Sequence, residues 1–336
     1  MSDSSLQSLL RDTSRSFYLT LRILPGAVRP QIGLAYLLAR TTDTIADTEL
    51  VPLEARLQAL ADLRERIMGA PSPELNLAQL SPSQASEPER LLLERAGETL
   101  RILNGLAEED KRLICEVLNT IISGQVLDLQ RFGPPHPPHP RALETEAELD
   151  DYTYRVAGCV GEFWTRLCRA HLFPSARVDD AMLLRDGIRF GKGLQLVNIL
   201  RDLPADLRKG RCYIPRQSLA AAGLAPEDLS SAANEPRFRA LYQTCLDRAE
   251  GHLQAGWNYT NALPPGQWRL RLACAWPVLI GARTLRKLRV ENILDSTRRI
   301  KIARPEVRAI IVRSILLSAW PAAWKAQFRR EMALPK

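Results

Sequence analysis

Apolar residues recur every three or four positions along most of this 336-residue sequence, and that period admits little besides packed α-helices. In residues 53–68, LEARLQALADLRERIM, Leu53, Leu57, Leu60 and Leu63 form one stripe while charges occupy the other face. The same period returns at 90–130, 147–172, 179–203, 237–263 and 269–290. Alternating strand patterns joined by tight Asn-Gly or Asp-Gly turns are absent. The pattern predicts an all-α fold.

Two segments interrupt it. Residues 71–88, PSPELNLAQLSPSQASEP, read as a surface loop. Residues 133–140, GPPHPPHP, also read as a loop, because their prolines remove donors and force extended backbone. His136 and His139 lie inside this loop and lack further ligands in the sequence, so no metal site is read there. Neither break separates halves with distinct sites, and the expectation is a single domain over residues 1–336.

Composition narrows the class. A 46% hydrophobic and 25% charged chain is an ordinary globular protein, neither disordered nor fibrous. Six scattered cysteines without a C-x-x-C pair, and no signal peptide, predict reduced thiols in the cytoplasm. The longest uncharged apolar stretches, Leu272 to Ala282 and Ser314 to Trp324, run 11 residues. A spanning helix needs about 20. The formal charge of +8 suits an anionic lipid or a diphosphate. Its basic residues are dispersed rather than clustered with aromatics, which argues against nucleic acid.

The chemistry concentrates in two acidic turns. In YLLARTTDTIADTE, residues 36–49, Asp43 and Asp47 are four apart and share a helix face with Arg40. Alone, such a pair reads as a solvated acidic turn. A second copy stands in GKGLQLVNILRDLPADLRKGRCYIP, residues 191–215. There Gln195, Asn198, Asp202 and Asp206 form one polar stripe on an otherwise apolar helix, with Arg201, Arg208, Lys209 and Arg211 nearby. Such a stripe is costly unless it meets water or an ion. Mg²⁺ takes carboxylate, water and phosphate oxygens, and Arg or Lys neutralises the remaining charge. The two turns therefore suggest a Mg²⁺–diphosphate site. No P-loop or G-x-G-x-x-G is present.

Five ordered segments carry a resemblance: T-S-R-S-F at 13–17, D-x-x-x-D at 43–47, Y-x-x-x-V-A-G-x-V-G at 152–161, Q-L-x-N-I-L-R-D-x-x-x-D at 195–206, and R-x-Y-x-P at 211–215. Together they resemble the squalene/phytoene synthase family of head-to-head prenyl synthases. The resemblance implies an isoprenoid synthase-type helical bundle around a central apolar cavity. Within the family, CAWPVLIGARTL at 274–285 and Ile300-Lys301-Ile302 look closer to squalene synthases.

The resemblance also implies roles. Asp43, Asp47, Asp202 and Asp206 would hold Mg²⁺ ions that bridge two prenyl diphosphates. Ser14, Arg15, Arg40 and Arg201 would contact diphosphate oxygens, and Gln195 and Asn198 would line the same mouth. Tyr152 would handle a proton or orient a cation, with Phe17, Tyr36, Val156, Ala157 and Gly161 against the prenyl chains. Gly158 and Gly161 would let those chains approach the backbone. Asn198, Lys301 and Arg304 would meet NADPH. The implied reaction is coupling of two farnesyl diphosphates through presqualene diphosphate to squalene. Alternatives are non-reductive dehydrosqualene or phytoene synthesis, a presqualene diphosphate synthase, and an inactive scaffold of this fold.

Several positions depart from the pattern. Ala46 and Ala205 stand where squalene synthases often carry Glu, and Ala303 where a basic residue is expected for NADPH. Pro204 lies between Asp202 and Asp206 and is expected to break the bond to the Leu200 carbonyl and kink the helix. Gly187, Gly191 and Gly193 read as tight helix packing, and Tyr154 as a packing aromatic. The C-terminal AIIVRSILLSAWPAAWKAQFRR reads as a last core helix or as a peripheral membrane contact.

Overall fold

The computed structural model describes residues 3–14, 17–70, 77, 80, 86–133 and 139–333. Among these the chain is helical, apart from one two-residue parallel strand pair, so the all-α expectation holds. The chain divides into two compact units: Met1–Gly133 with Arg166–Pro174, and Pro134–Thr165 with Ser175–Lys336.

The first unit holds α1 (Asp3–Ser14), α2 (Phe17–Ile23), α3 (Arg29–Asp47), α4 (Leu53–Ile67), α5 (Glu87–Glu94), α6 (Ala96–Asn104) and α7 (Glu108–Phe132). Pro30, in the first turn of α3, costs no intrahelical bond there. Leu37, Leu38 and Ile45 of α3 are buried with Leu60, Leu63 and Ile67 of α4 and Leu118 and Ile122 of α7. Each such side chain contributes about 1.5–3 kcal/mol on leaving water. Three buried threonines in the last turns of α3 bring polar hydroxyls into this core. Thr41 and Thr44 donate to the carbonyls of Leu37 and Arg40, at 2.9 and 2.8 Å, and Thr42 to that of Ala39 at 2.7 Å. The periodicity locates α4 within one residue. The loop expected over 71–88 yields to helix at Glu87, and most of its interior lies outside the described residues.

The second unit holds α8 (Glu146–Thr153), a π-helical turn (Tyr154–Gly158), the first half of α9 (Cys159–Leu172) and α10 (Asp180–Arg208). It continues through α11 (Arg216–Ala221), α12 (Glu235–Ala262), α13 (Trp268–Val290), α14 (Arg304–Leu317) and α15 (Pro321–Met332). Glycines set how close α10 runs to its neighbours. A Cβ on Gly161 would fall 1.9 Å from the Gly187 carbonyl oxygen, and one on Gly191 would fall 2.1 Å from that of Ala157. The tight packing expected of Gly187 and Gly191 is therefore present. The room at Gly161 is filled by the backbone of α10, so the close approach there is of helix to helix rather than of a prenyl chain.

The strand pair joins Arg141–Ala142 (β1) to Arg211–Cys212 (β2), directly after α10. The Arg216 amide then donates to the Leu143 carbonyl at 2.7 Å. The segment following the second acidic turn is thus fastened beside the start of α8. The C-terminal stretch forms two helices instead of one, because the chain leaves helix after Leu317 and restarts at Pro321. All six cysteines are free thiols.

Candidate active-site residues

Asp43 and Asp47 occupy the last turn and a half of α3, where the helix dipole already disfavours negative charge. The Asp43 carboxyl is pushed up to about 6 by the protein massed around it and by the Asp47 charge one turn on. The Arg40 guanidinium and the Gln125 amide oppose that shift. With 47% of its side-chain surface still open, Asp43 is at once crowded and accessible. Gln125 of α7 donates to Asp43 Oδ1 at 2.6 Å, and Arg40 lies 3.9 Å from Oδ2 while pairing with Glu89 of α5 at 2.7 Å. Arg56 of α4, fully buried, donates to the Ala46 carbonyl at 2.8 Å and sets a cation against the C-terminus of α3. An accessible pair of carboxylates under mutual repulsion, on oxygen ligands of the kind Mg²⁺ prefers, fits a divalent cation.

Gln125, Glu89 and Arg56 were not read from the sequence. Gln125 leaves a faint signal, as an amide within the apolar run IISGQVL of α7. Arg56 leaves a signal too, as a lone charge on the leucine stripe of α4, four residues before Leu60 and seven before Leu63.

The T-S-R-S-F segment is described in part. Arg15 and Ser16 lie outside the described residues, as does the side chain of Phe17. Ser14 is buried and its hydroxyl donates to the Leu10 carbonyl of its own helix, so it is turned inward. Tyr36 reaches this segment and donates to the Thr13 carbonyl at 3.1 Å.

On α10 the polar stripe is real. Gln195, Asp202 and Asp206 are half-buried and Asn198 is exposed, while Leu196, Val197, Ile199, Leu200, Leu203 and Leu207 are buried. The Arg201 guanidinium grips Asp202 through two hydrogen bonds, 3.0 Å from Nε and 2.5 Å from Nη2. The hydrogen bond expected to be lost at Pro204 is lost, and the helix nevertheless continues from Asp180 to Arg208. The carbonyl that Pro204 cannot serve, that of Leu200, accepts instead from the Tyr242 hydroxyl of α12 at 3.1 Å. Tyr242 is fully buried, and burial raises its phenol well above the ordinary value. Asp202 and Asp206 therefore remain one helical turn apart.

Tyr152, on α8, is buried and stacked on Tyr213 with ring centroids 4.8 Å apart and planes inclined by 22°. The strand pair holds Tyr213, of R-x-Y-x-P, in that position. Val156 and Ala157 belong to the π-turn and are half-buried. Such turns insert an extra residue, which rotates the next helical turn about the axis, and they recur at functional sites. Tyr154, read as a packing aromatic, instead donates to Glu162 at 3.1 Å and lies under Lys192, whose ammonium pairs with Asp150 at 2.8 Å. Lys301 and Arg304 are both exposed.

Known proteins resemble this chain over most of its length. The model of the family described as squalene/phytoene synthase matches residues 10–306. The chain is 30% identical to the presqualene diphosphate synthase of Zymomonas mobilis over 79% of its own length and 78% of the relative's. It is also 30% identical to the bifunctional lycopene cyclase/phytoene synthase of Gibberella fujikuroi over 84% of its length, but spans only 47% of that longer protein. Among solved structures, that of TcSQS with the ligand E5700 is similar in fold, with a TM-score of 0.77 at 21% identity, covering 98% of this chain and 90% of that one. The acidic turns, the tyrosine segment and the extent of these matches agree: the chain belongs to the squalene/phytoene synthase family of head-to-head prenyl synthases.

Proposed function

We propose that the protein is a Mg²⁺-dependent prenyltransferase that joins two farnesyl diphosphates head to head through presqualene diphosphate, with NADPH reducing the product to squalene. The coupling rests on one observation above others: Asp43 and Asp47 stand one turn apart at the end of α3 and repel each other, with the Asp43 side chain still 47% open. A divalent cation relieves that repulsion. In this reading Asp43 and Asp47 on α3 are Mg²⁺ ligands, and Asp202 and Asp206 on α10 are Mg²⁺ ligands in their own turn. When bound, Mg²⁺ supplies the charge that stabilises a departing diphosphate.

The chain's own groups do the rest. Arg201 and Arg40 offer fork donors to diphosphate oxygens, exchanging Asp202 and Glu89 for substrate. Loss of diphosphate leaves an allylic cation, which the double bond of the second chain attacks before a proton departs. The stacked faces of Tyr152 and Tyr213 suit such a cation, and the Tyr152 hydroxyl handles the proton. Excluding water keeps the cation from being quenched.

The reductive step rests on Asn198, Lys301 and Arg304, all exposed polar side chains within reach of a dissolved cofactor. Likeness to a presqualene diphosphate synthase favours a second reading, in which the reaction stops at the cyclopropyl diphosphate. Product mass after incubation with farnesyl diphosphate and Mg²⁺, with and without NADPH, tests both. Squalene formed only with NADPH supports the first reading. Presqualene diphosphate in both tubes supports the second, and no diphosphate release in either overturns the coupling. A hydrocarbon or prenyl product belongs in a bilayer, so this reading includes work in the cytoplasm at the membrane's inner face.

A further inference from the structure

Four of the large apolar side chains left exposed in the described residues lie together, at the end of α14. Val312 is 56% exposed, Ile315 45%, Leu316 61% and, just past the helix, Trp320 61%. Their spacing puts them on the side of α14 that also carries Arg304 and Arg308. The opposite side is the packed one: Ile310 is buried, and Ser314 accepts from the Trp276 indole at 2.9 Å. The exposed face is therefore not a core face left over by poor packing. The helix has a complete interior contact and a second, outward apolar surface.

The charges around that surface are sorted by sign. Residues 304–333 contain two carboxylates, Glu306 and Glu331, and both turn inward. Glu331 is 2% exposed between Arg283 and Arg313, at 2.5 and 2.9 Å, and Glu306 pairs with Lys287 at 2.8 Å and Arg283 at 3.1 Å. Apart from Arg313, which pairs with Glu331, the cations turn outward: Arg304, Arg308, Lys325, Arg329 and Arg330 are exposed. The segment thus presents apolar side chains and positive charge to its surroundings, and keeps its negative charge inside.

We infer that this face of α14, with the basic side of α15, docks the protein on a bilayer carrying anionic headgroups. An amphipathic helix lies in the interface with its apolar side chains among the acyl chains and its Arg and Lys against the headgroups, and a Trp at the rim suits the polar boundary. A second copy of this chain is disfavoured as the occupant, because pairing this face with itself would bring ten exposed cations together. No helix of the described residues is long and apolar enough to cross a membrane, so contact here is from one side. The inference deepens the proposed function by naming its surface. It rests on none of the acidic residues or tyrosines, so either can fail alone.

Co-sedimentation of the full chain with vesicles tests it, using phosphatidylcholine alone against phosphatidylcholine mixed with phosphatidylglycerol. Partitioning is expected to be at least about tenfold stronger on the anionic vesicles and to fall with added salt. The triple variant Ile315→Ser/Leu316→Ser/Trp320→Ala is expected to weaken it about tenfold or more, and Arg308→Gln/Lys325→Gln to weaken binding to the anionic vesicles and make it less sensitive to salt. All five positions are exposed, so melting temperature should stay at the wild-type value; a variant that melts early is replaced by Val312→Ser/Leu316→Ser. Equal binding to both vesicles, no binding, or undiminished binding by a folded apolar variant overturns the inference. So does a concentration-dependent dimer that the same substitutions abolish.

Discussion

At the residue scale, Asp43 carries an unfavourable charge that function explains and stability does not. Replacing it by Asn removes the repulsion with Asp47 and keeps the amide-sized side chain beside Gln125. Asp43→Asn is expected to stabilise the metal-free protein by about 0.2–0.5 kcal/mol, the size of a like-charged pair one turn apart. In the same variant, diphosphate release should fall about a hundredfold or more, as when one electrostatic stabiliser is lost. Scanning fluorimetry with and without Mg²⁺, together with a pyrophosphate assay, reads both effects. A variant that gains no stability, or still releases diphosphate at the wild-type rate, refutes the assignment.

At the element scale, α10 continues as helix past Pro204, and α12 lends a hydroxyl to the carbonyl that the proline cannot serve. Tyr242→Phe leaves the buried Leu200 carbonyl without its donor, at a cost of about 1–3 kcal/mol. Pro204→Ala restores an N–H to the same carbonyl, so the double variant should recover most of what Tyr242→Phe loses. Denaturant midpoints of the four proteins measure that coupling; strictly additive effects would count against it. The glycines give a second contrast. Gly161→Ala drives a methyl into the Gly187 carbonyl and is expected to destabilise by about 1–3 kcal/mol or more. Gly97→Ala, in α6 with open space around the added carbon, should be neutral or stabilising by up to about 1 kcal/mol. Equal melting temperatures for the two would mean that α9 and α10 do not meet as described.

At the scale of the whole molecule, each unit has its own acidic turn, and the second unit also sorts charge around Glu306 of α14. Glu306 loses some hydration on partial burial, which acts to raise its pKa. Hydrogen bonds from Lys287, the Ala303 amide and Arg283 outweigh this and bring it down to about 2 from an ordinary 4.5. Its folded value lies below its unfolded one, so the stabilisation is present above about pH 4.5 and disappears as pH falls toward 2. Glu306→Gln should flatten that part of the acid limb while lowering stability near neutrality. Chemical denaturation from pH 7 downward checks it, and an unchanged acid limb in the variant would contradict the network.

The sequence by itself determined the helices with strong stripes, such as α4, the two acidic turns and the family, because each depends on spacing within one chain segment. An i,i+4 pair on a helix shares a face whatever surrounds it. What only the tertiary structure decided is which group answers each of these. Gln125 reaches Asp43 across 82 residues, Tyr242 serves Leu200 across 42, and Tyr213 stacks on Tyr152 by way of a strand pair two residues long. It likewise filled the space at Gly161 with α10 and turned Ser14 back onto its own helix. The physical reason is that a local period says which side of a helix is apolar, whereas partners between helices depend on how whole surfaces interlock, and no spacing rule carries that information.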